Sequence, residues 1–224
     1  MKKGRIGIMP IGALSIAFAS YIQGIDTFIE SRKTHYNVGR KLTICIDNEK
    51  KEITLTNENY TNDINSLVNG RMPEIILFSP PNHRLMSTLD QVIAMFLKIL
   101  EQNAVIPKLV MLSNGIYYDD VMNHVTTNFG SIDNNIREKI KGNIIRGTTL
   151  QTGIRIESEK NGRYTIFKPG TKGSITIAGA KNLEKELSYY LRNIITLFLK
   201  WKEKRLEELS SIRLLSIFLS MQFN

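Results

Sequence analysis

Residues 5 to 15 read RIGIMPIGALS: an apolar strand-like run, a turn carrying Gly12, and the start of an apolar helix-like run. A strand that passes through such a turn into a helix can receive phosphate, because the first N–H groups of the helix lack intrahelical partners and its dipole favours negative charge. The dinucleotide fingerprint places glycines at three positions, for a tight turn, for approach of backbone to a pyrophosphate, and for close helix packing. The matching positions here are Pro10, Gly12 and Ser15. Only the central glycine is kept. Serine is small enough for close helix contact, whereas Pro10 removes an N–H and alters the turn in detail. Pro10, Ile11, Gly12, Ala13 and Leu14 are the candidate phosphate-side residues. About twenty residues beyond Gly12, where NAD enzymes carry an acidic residue for the ribose hydroxyls, stands Arg32. A guanidinium there suits a 2′-phosphate, with Lys33 adding charge, and predicts NADPH as the cofactor. Glu30, two residues earlier, contests that preference.

These residues need a βαβ frame to hold them. Arg5 to Met9 reads as a strand, Pro10 to Ala13 as a turn, Leu14 to Ile22 as a helix closed by Gly24, and Ile25 to Glu30 as a second strand. Two β-rich runs between Leu42 and Leu55 flank Asp47-Asn48, which predicts a surface hairpin inserted after the second strand. Ile75 to Phe78 is continuously apolar, as in a strand buried on both faces of a parallel sheet. After Pro80-Pro81, the residues Leu89, Val92, Ile93, Phe96, Leu97 and Leu100 recur at helical spacing. Leu109 to Leu112 repeats the buried-strand pattern and ends in Ser113-Asn114-Gly115.

Asn143 to Gly179 carries β-rich runs separated by turn signals and predicts an antiparallel extension of the sheet. From Leu183 onward there is neither Pro nor Gly, and apolar residues including Phe198 and Trp201 follow helical spacing. The fold class expected is therefore α/β: a Rossmann-type doubly wound sheet with an antiparallel extension, followed by a short C-terminal helical region. The division is residues 1–182 for the NADPH-binding domain and 183–224 for a helical segment serving dimerisation and the substrate side.

Composition narrows the class further. The 224 residues are 42% hydrophobic and 23% charged, an ordinary globular balance. The single cysteine, Cys45, excludes an intrachain disulfide, and no Cys/His cluster has zinc-site spacing, so no metal and a cytoplasmic location are expected. No apolar run is long enough to span a membrane, and the stretch from Ile6 to Ile22 is broken by Pro10 and Gly12 in a way that a signal peptide is not. The net charge of +9 is spread along the chain with no basic helix bearing interleaved aromatics, which argues against a nucleic-acid partner.

Taken in order, IGIMPIGALS, IESR, PEIILFSPP, VMLSNG and IIRGTTLQTGIRIE followed by KPG and SITIAG resemble the ketopantoate reductases, a branch of the 6-phosphogluconate dehydrogenase-like group, over residues 5 to 180. The resemblance implies reduction of the ketone of 2-ketopantoate to pantoate by hydride from NADPH, a step toward pantothenate. It implies cofactor contacts at Ser79 and Pro80, and a role for Asn114 at the nicotinamide-side ribose and the reacting centre. A side-chain amide can both donate to a developing alkoxide and orient a ribose hydroxyl.

Departures from the family pattern also bear on the site. Where the family commonly has a lysine after the ILFS strand, this chain has Pro81, leaving His83 or Arg84 to supply polarity and His83 as a substrate-side candidate. The family's catalytic lysine commonly follows a tryptophan. Here that region reads KWKEKR, so the resemblance implies Lys202 or Lys204 as the general acid. Family members usually continue for roughly a hundred further residues (domain scale as in). The shorter sequence, with Phe198, Trp201, Leu209, Ile212, Leu215 and Phe218 near its end, predicts a homodimer through the C-terminal helices. The alternative to a 2-oxo acid reductase is an NADPH-binding dimeric regulatory or sensor protein without reductase activity.

Overall fold

Continuous apolar strands can be buried only if both faces of their sheet are covered, and that requirement organises the chain. The computed structural model describes residues 5–21, 25–31, 38–46, 49–63, 72–112, 117–157, 164–170, 174–177 and 198–201. In chain order the elements are β1 (Ile6–Met9), α1 (Ala13–Tyr21), β2 (Ile25–Ile29), β3 (Lys41–Ile46), β4 (Glu49–Thr54), β5 (Tyr60–Thr61), β6 (Ile75–Phe78), α2 (Leu85–Glu101), β7 (Lys108–Met111), α3 (Tyr118–Asn128), α4 (Asn134–Asn143), β8 (Ile144–Thr149), β9 (Gly153–Glu157), β10 (Tyr164–Pro169), β11 (Ser174–Ile177) and β12 (Phe198–Trp201).

β5, β2, β1, β6, β7 and β8 lie side by side in that order and all run parallel. The chain begins at the centre with β1, builds outward through β2 to β5, then crosses back and builds the other way from β6. This is the doubly wound Rossmann-type order, and its reversal opens a crevice at the carboxyl ends of β1 and β6.

Alternate residues of the central strands feed two cores. Ile8, Leu77 and Val110 pack on one face with Ile16 and Phe18 of α1. Met9, Phe78 and Met111 pack on the other with Leu89, Val92 and Phe96 of α2, Val121 and Val125 of α3, and Ile140 of α4. Each such buried side chain contributes about 1.5–3 kcal/mol of transfer free energy. The α2 stripe is the helical spacing expected from sequence. The helix ends at Glu101 with Gln102 as its cap, and the chain turns away at Asn103, whose positive φ of 54° suits an asparagine. α4 starts on Asp133, whose carboxylate accepts from the amides of Asn135 and Ile136. Asp90 of α2 and His124 of α3 join the two helices at 2.6 Å. No described helix is long and apolar enough to cross a membrane.

Three expectations need correction. The 42–55 hairpin exists as β3 and β4, but it is not merely a surface insertion: Leu42, Ile44 and Leu55 are fully buried. It pairs through β3 with β10 in a second sheet, ordered β4-β3-β10-β9, which packs on α1. The region 143–179 is likewise not one antiparallel extension. β8 joins the main sheet in parallel, β9 and β10 go to the second sheet, and only β11 runs antiparallel to β8. Turn signals reveal neighbouring pairs, whereas the β3–β10 pairing joins segments distant in sequence. At Phe198–Trp201 the chain forms a strand parallel to β11 rather than helix, because four apolar-rich residues satisfy either period. The remainder of the predicted 183–224 helical segment lies outside the described residues.

α1 is thus held between two sheets, and the closest approach is at Gly153. A Cβ there would stand 2.8 Å from the Ala13 carbonyl oxygen and 3.2 Å from the Ala17 Cβ. Backbone cannot yield as a flexible side chain can, so Gly153→Ala is expected to lower stability by about 1–3 kcal/mol in denaturant unfolding. An unchanged midpoint would show that the second sheet does not press on α1.

Candidate functional site

The crevice predicted by the strand order is a cleft of about 390 Å³. Its walls are the β1–α1 turn, the end of β2 and the segment leaving β6. All seven described cofactor-side candidates, Pro10, Ile11, Gly12, Ala13, Leu14, Ser79 and Pro80, line it. Glu30, Ser31, Pro81, Arg84 and Thr88 complete the lining. Arg32, Lys33, Asn114, Lys202 and Lys204 lie outside the described residues.

The turn is fixed by hydrogen bonds to the neighbouring strand end. The Ser79 amide donates to the Met9 carbonyl at 2.9 Å, continuing the β1–β6 ladder past the strands. The Ser15 hydroxyl donates to the Pro10 carbonyl at 2.5 Å and lies 2.8 Å from the Ser79 hydroxyl. A serine has one hydroxyl proton, and that of Ser15 is committed to Pro10, so the Ser79 hydroxyl donates to Ser15. Toward the cleft Ser79 therefore offers lone pairs. Ser15 does more than fit where the fingerprint has its third glycine: it laces the turn to the end of β6. The Met9–Pro10 peptide is cis.

Gly12 supplies a direct test of fit. A Cβ built on it meets no protein atom within 4 Å, and its φ is not in the left-handed region. Neither internal packing nor backbone strain demands glycine here. Its position in the cleft at the start of α1 fits the remaining reason, room for a phosphate to approach the backbone. The residues present thus suit a dinucleotide.

The carboxylate and guanidinium of the lining come from opposite sides of the switch point. Glu30 follows β2 directly and is 6% exposed, with its amide donating to the Thr61 carbonyl of β5 at 2.9 Å. Arg84 ends the 3-10 turn Asn82–Arg84 after β6, and Thr88 lies one helical turn further along α2. Of the two polar candidates after Pro81, Arg84 lines the cleft; His83 is exposed, is not part of the lining, and its Nε2 accepts from Arg84 Nε at 3.3 Å. Sequence reasoning passed over Thr88. Its spacing of four from Arg84 was the available signal, since residues i and i+4 share a helix face.

The fold and cleft together define a Rossmann-type α/β protein with a crevice of about 390 Å³ at its switch point. No family model and no curated protein matches the sequence. Among solved structures, the chain is similar to D-mandelate dehydrogenase in a ternary structure with NADH and anilino(oxo)acetate, at TM-score 0.57 and 14% identity over 89% of this chain and 57% of that one. It is similar to 2-dehydropantoate 2-reductase from Geobacter metallireducens, at TM-score 0.55 and 15% identity over 88% of this chain and 57% of that one. A PanE/ApbA family ketopantoate reductase from Ralstonia eutropha gives TM-score 0.54 and 14% identity over 89% and 57%. These likenesses establish the fold, and the chain spans just over half the length of the structures it matches. The family resembled in sequence is the one that recurs among the structural neighbours.

Substitutions at two positions separate cleft function from cleft construction. Gly12→Ala is expected to leave unfolding within about 0.5 kcal/mol of wild type while weakening NADPH and NADH binding at least about tenfold, measured by fluorescence titration. Unweakened binding would mean that no ligand approaches Gly12. Ser15→Ala should cost about 1–2 kcal/mol in stability through the lost hydroxyl contacts, and Ser15→Gly should not recover it. Full recovery by glycine would show that only size matters at this position.

Proposed function

We propose that this chain is an NADPH-dependent oxidoreductase that reduces a 2-oxo acid, with 2-ketopantoate to pantoate as the leading reaction. The observation that carries the proposal is Gly12, open to the cleft at the mouth of α1, at the switch point of a doubly wound sheet. Similarity to a mandelate dehydrogenase and to ketopantoate reductases supports the choice of reaction class.

In this proposal the β1–α1 turn holds the pyrophosphate, Arg32 and Lys33 take the 2′-phosphate, and Asn114 orients the nicotinamide-side ribose and the substrate oxygen. The cofactor, when bound, supplies hydride to the ketone carbon. Lys202 or Lys204 then protonates the new alkoxide as general acid, with Arg84 of the cleft lining, rather than the exposed His83, as the polar group on the substrate side. The proposed assembly is a cytoplasmic homodimer through the C-terminal segment.

Purified protein is expected to oxidise NADPH when 2-ketopantoate is added and not without it, followed by NADPH absorbance. Replacing Lys202 and Lys204 separately by Ala should lower kcat at least about a hundredfold in one case while leaving NADPH affinity intact. Tight NADPH binding with no turnover of any branched 2-oxo acid would overturn the reductase reading in favour of a cofactor sensor.

A further inference from the structure

We propose that Arg84 and Thr88 form a two-point clamp for a carboxylate, on the wall of the cleft that leaves β6, and that this clamp makes the cleft selective for 2-oxo acids over neutral ketones. The inference rests on the reductase reading above and deepens it by naming the side chains that hold the acid group.

An unpartnered hydroxyl points to it first. Thr88 is 3% exposed, yet its hydroxyl makes no hydrogen bond among the described residues. It does not turn back onto its own helix, as Ser20 and Thr126 do by donating to carbonyls four residues earlier. A buried hydroxyl left in this way is costly unless something else meets it. Nor is it sealed in the core, since Arg137 Nε is the one fully enclosed side-chain polar atom without a partner among the described residues, and the cleft is the space that Thr88 lines. Arg84 supplies the second point, four residues earlier and in the same lining. Its Nε donates to His83 Nε2 at 3.3 Å, it makes no ion pair among the described residues, and its two terminal nitrogens remain as donors.

The rest of this wall decides which anion fits. Pro80 and Pro81 have no N–H to give, the amides of Ser79 and Arg84 are spent on the Met9 and Pro81 carbonyls, and that of Thr88 belongs to the ladder of α2. The Ser79 hydroxyl has given its proton to Ser15. Phosphate is ordinarily cradled by several backbone amides, and the lining residues of this wall offer none. What remains is one guanidinium and one hydroxyl, a single positive charge with donors for two oxygens, which match a planar monoanionic carboxylate. No acidic residue stands in the first turn of α2 to compete for them. In a 2-oxo acid the carboxylate is bonded to the ketone carbon, so holding the one fixes the place of the other. A neutral ketone would leave the guanidinium and the buried hydroxyl unpaired, and that mismatch is the source of the selectivity.

Steady-state rates of the full chain test this with 2-ketopantoate and with its neutral lactone, which keeps the ketone and lacks the acid group. Wild type is expected to prefer the acid by at least about tenfold in kcat/KM, and Arg84→Met to erase that preference by raising KM for 2-ketopantoate, with NADPH and NADH affinities held within about threefold. Thr88→Val keeps the shape and should raise the same KM about threefold to tenfold, whereas Thr88→Ser keeps the hydroxyl and should stay near wild type; a packing role for Thr88 predicts the opposite order. An unchanged KM and preference in folded Arg84→Met would overturn the inference. So would weakened NADPH with NADH and 2-ketopantoate untouched, which would assign Arg84 to a cofactor phosphate. If wild type binds NADPH but turns over no 2-oxo acid, the reductase reading falls, and calorimetric titration of 2-ketopantoate into the NADPH-saturated chain decides the clamp by itself. Binding that is lost in Arg84→Met supports it, and absence of binding by wild type overturns it.

Discussion

The whole site depends on one junction, the carboxyl ends of β1 and β6 lying side by side with their chains leaving in opposite directions. Parallel strands in register bring Met9 opposite Phe78, and the next amide, that of Ser79, still reaches back to the Met9 carbonyl. Every cleft-lining group takes its place from this pair. The turn before α1 hangs from β1, Arg84 and Thr88 follow from β6, and Glu30 is one strand further along at the end of β2. Because β1 and β6 are buried at every residue, the junction is rigid for the same reason that the core is stable.

Rigidity of the strands alone would not aim α1. The helix is apolar on all sides, with Ile16, Ala17 and Phe18 buried in succession, and a helix without a polar face must be covered all round. The main sheet covers one side and the second sheet another, with Gly153 admitting the close approach. The hairpin β3–β4 and the later strands β9 and β10 are thus required by α1, the helix whose first turn lines the cleft, although none of them lines it.

Much of this was legible in the chain. The strands at 6–9, 75–78 and 108–111 announce themselves as uninterrupted apolar runs, and α2 as a stripe at helical spacing, because burial on two faces or one leaves a direct imprint on residue type. The cleft lining from Pro10 to Leu14 followed from motif position, and that at Ser79 and Pro80 from the family resemblance. The second sheet was not legible, since nothing in the residues of β3 says that its partner is β10. Nor could the sequence choose between His83 and Arg84. Adjacent residues on a 3-10 turn point in different directions, and only coordinates show which one meets the cleft. The short run at Phe198–Trp201 fits a strand as well as a helix, and pairing with β11 decides it.

The Ser79–Ser15–Pro10 relay links construction to selectivity. A glycine at position 15 would allow the same close packing but would leave the Ser79 proton free to turn toward the cleft, where it would favour phosphate oxygens. With Ser15 present the proton is spent internally, and Ser79 presents lone pairs to whatever enters. An acceptor at the end of β6 suits hydroxyl or amide donors, while the positive end of α1 and the Arg84 guanidinium suit anionic groups. The departure from the glycine fingerprint at position 15 therefore changes what the end of β6 offers the cleft, an acceptor where an unengaged serine hydroxyl could donate.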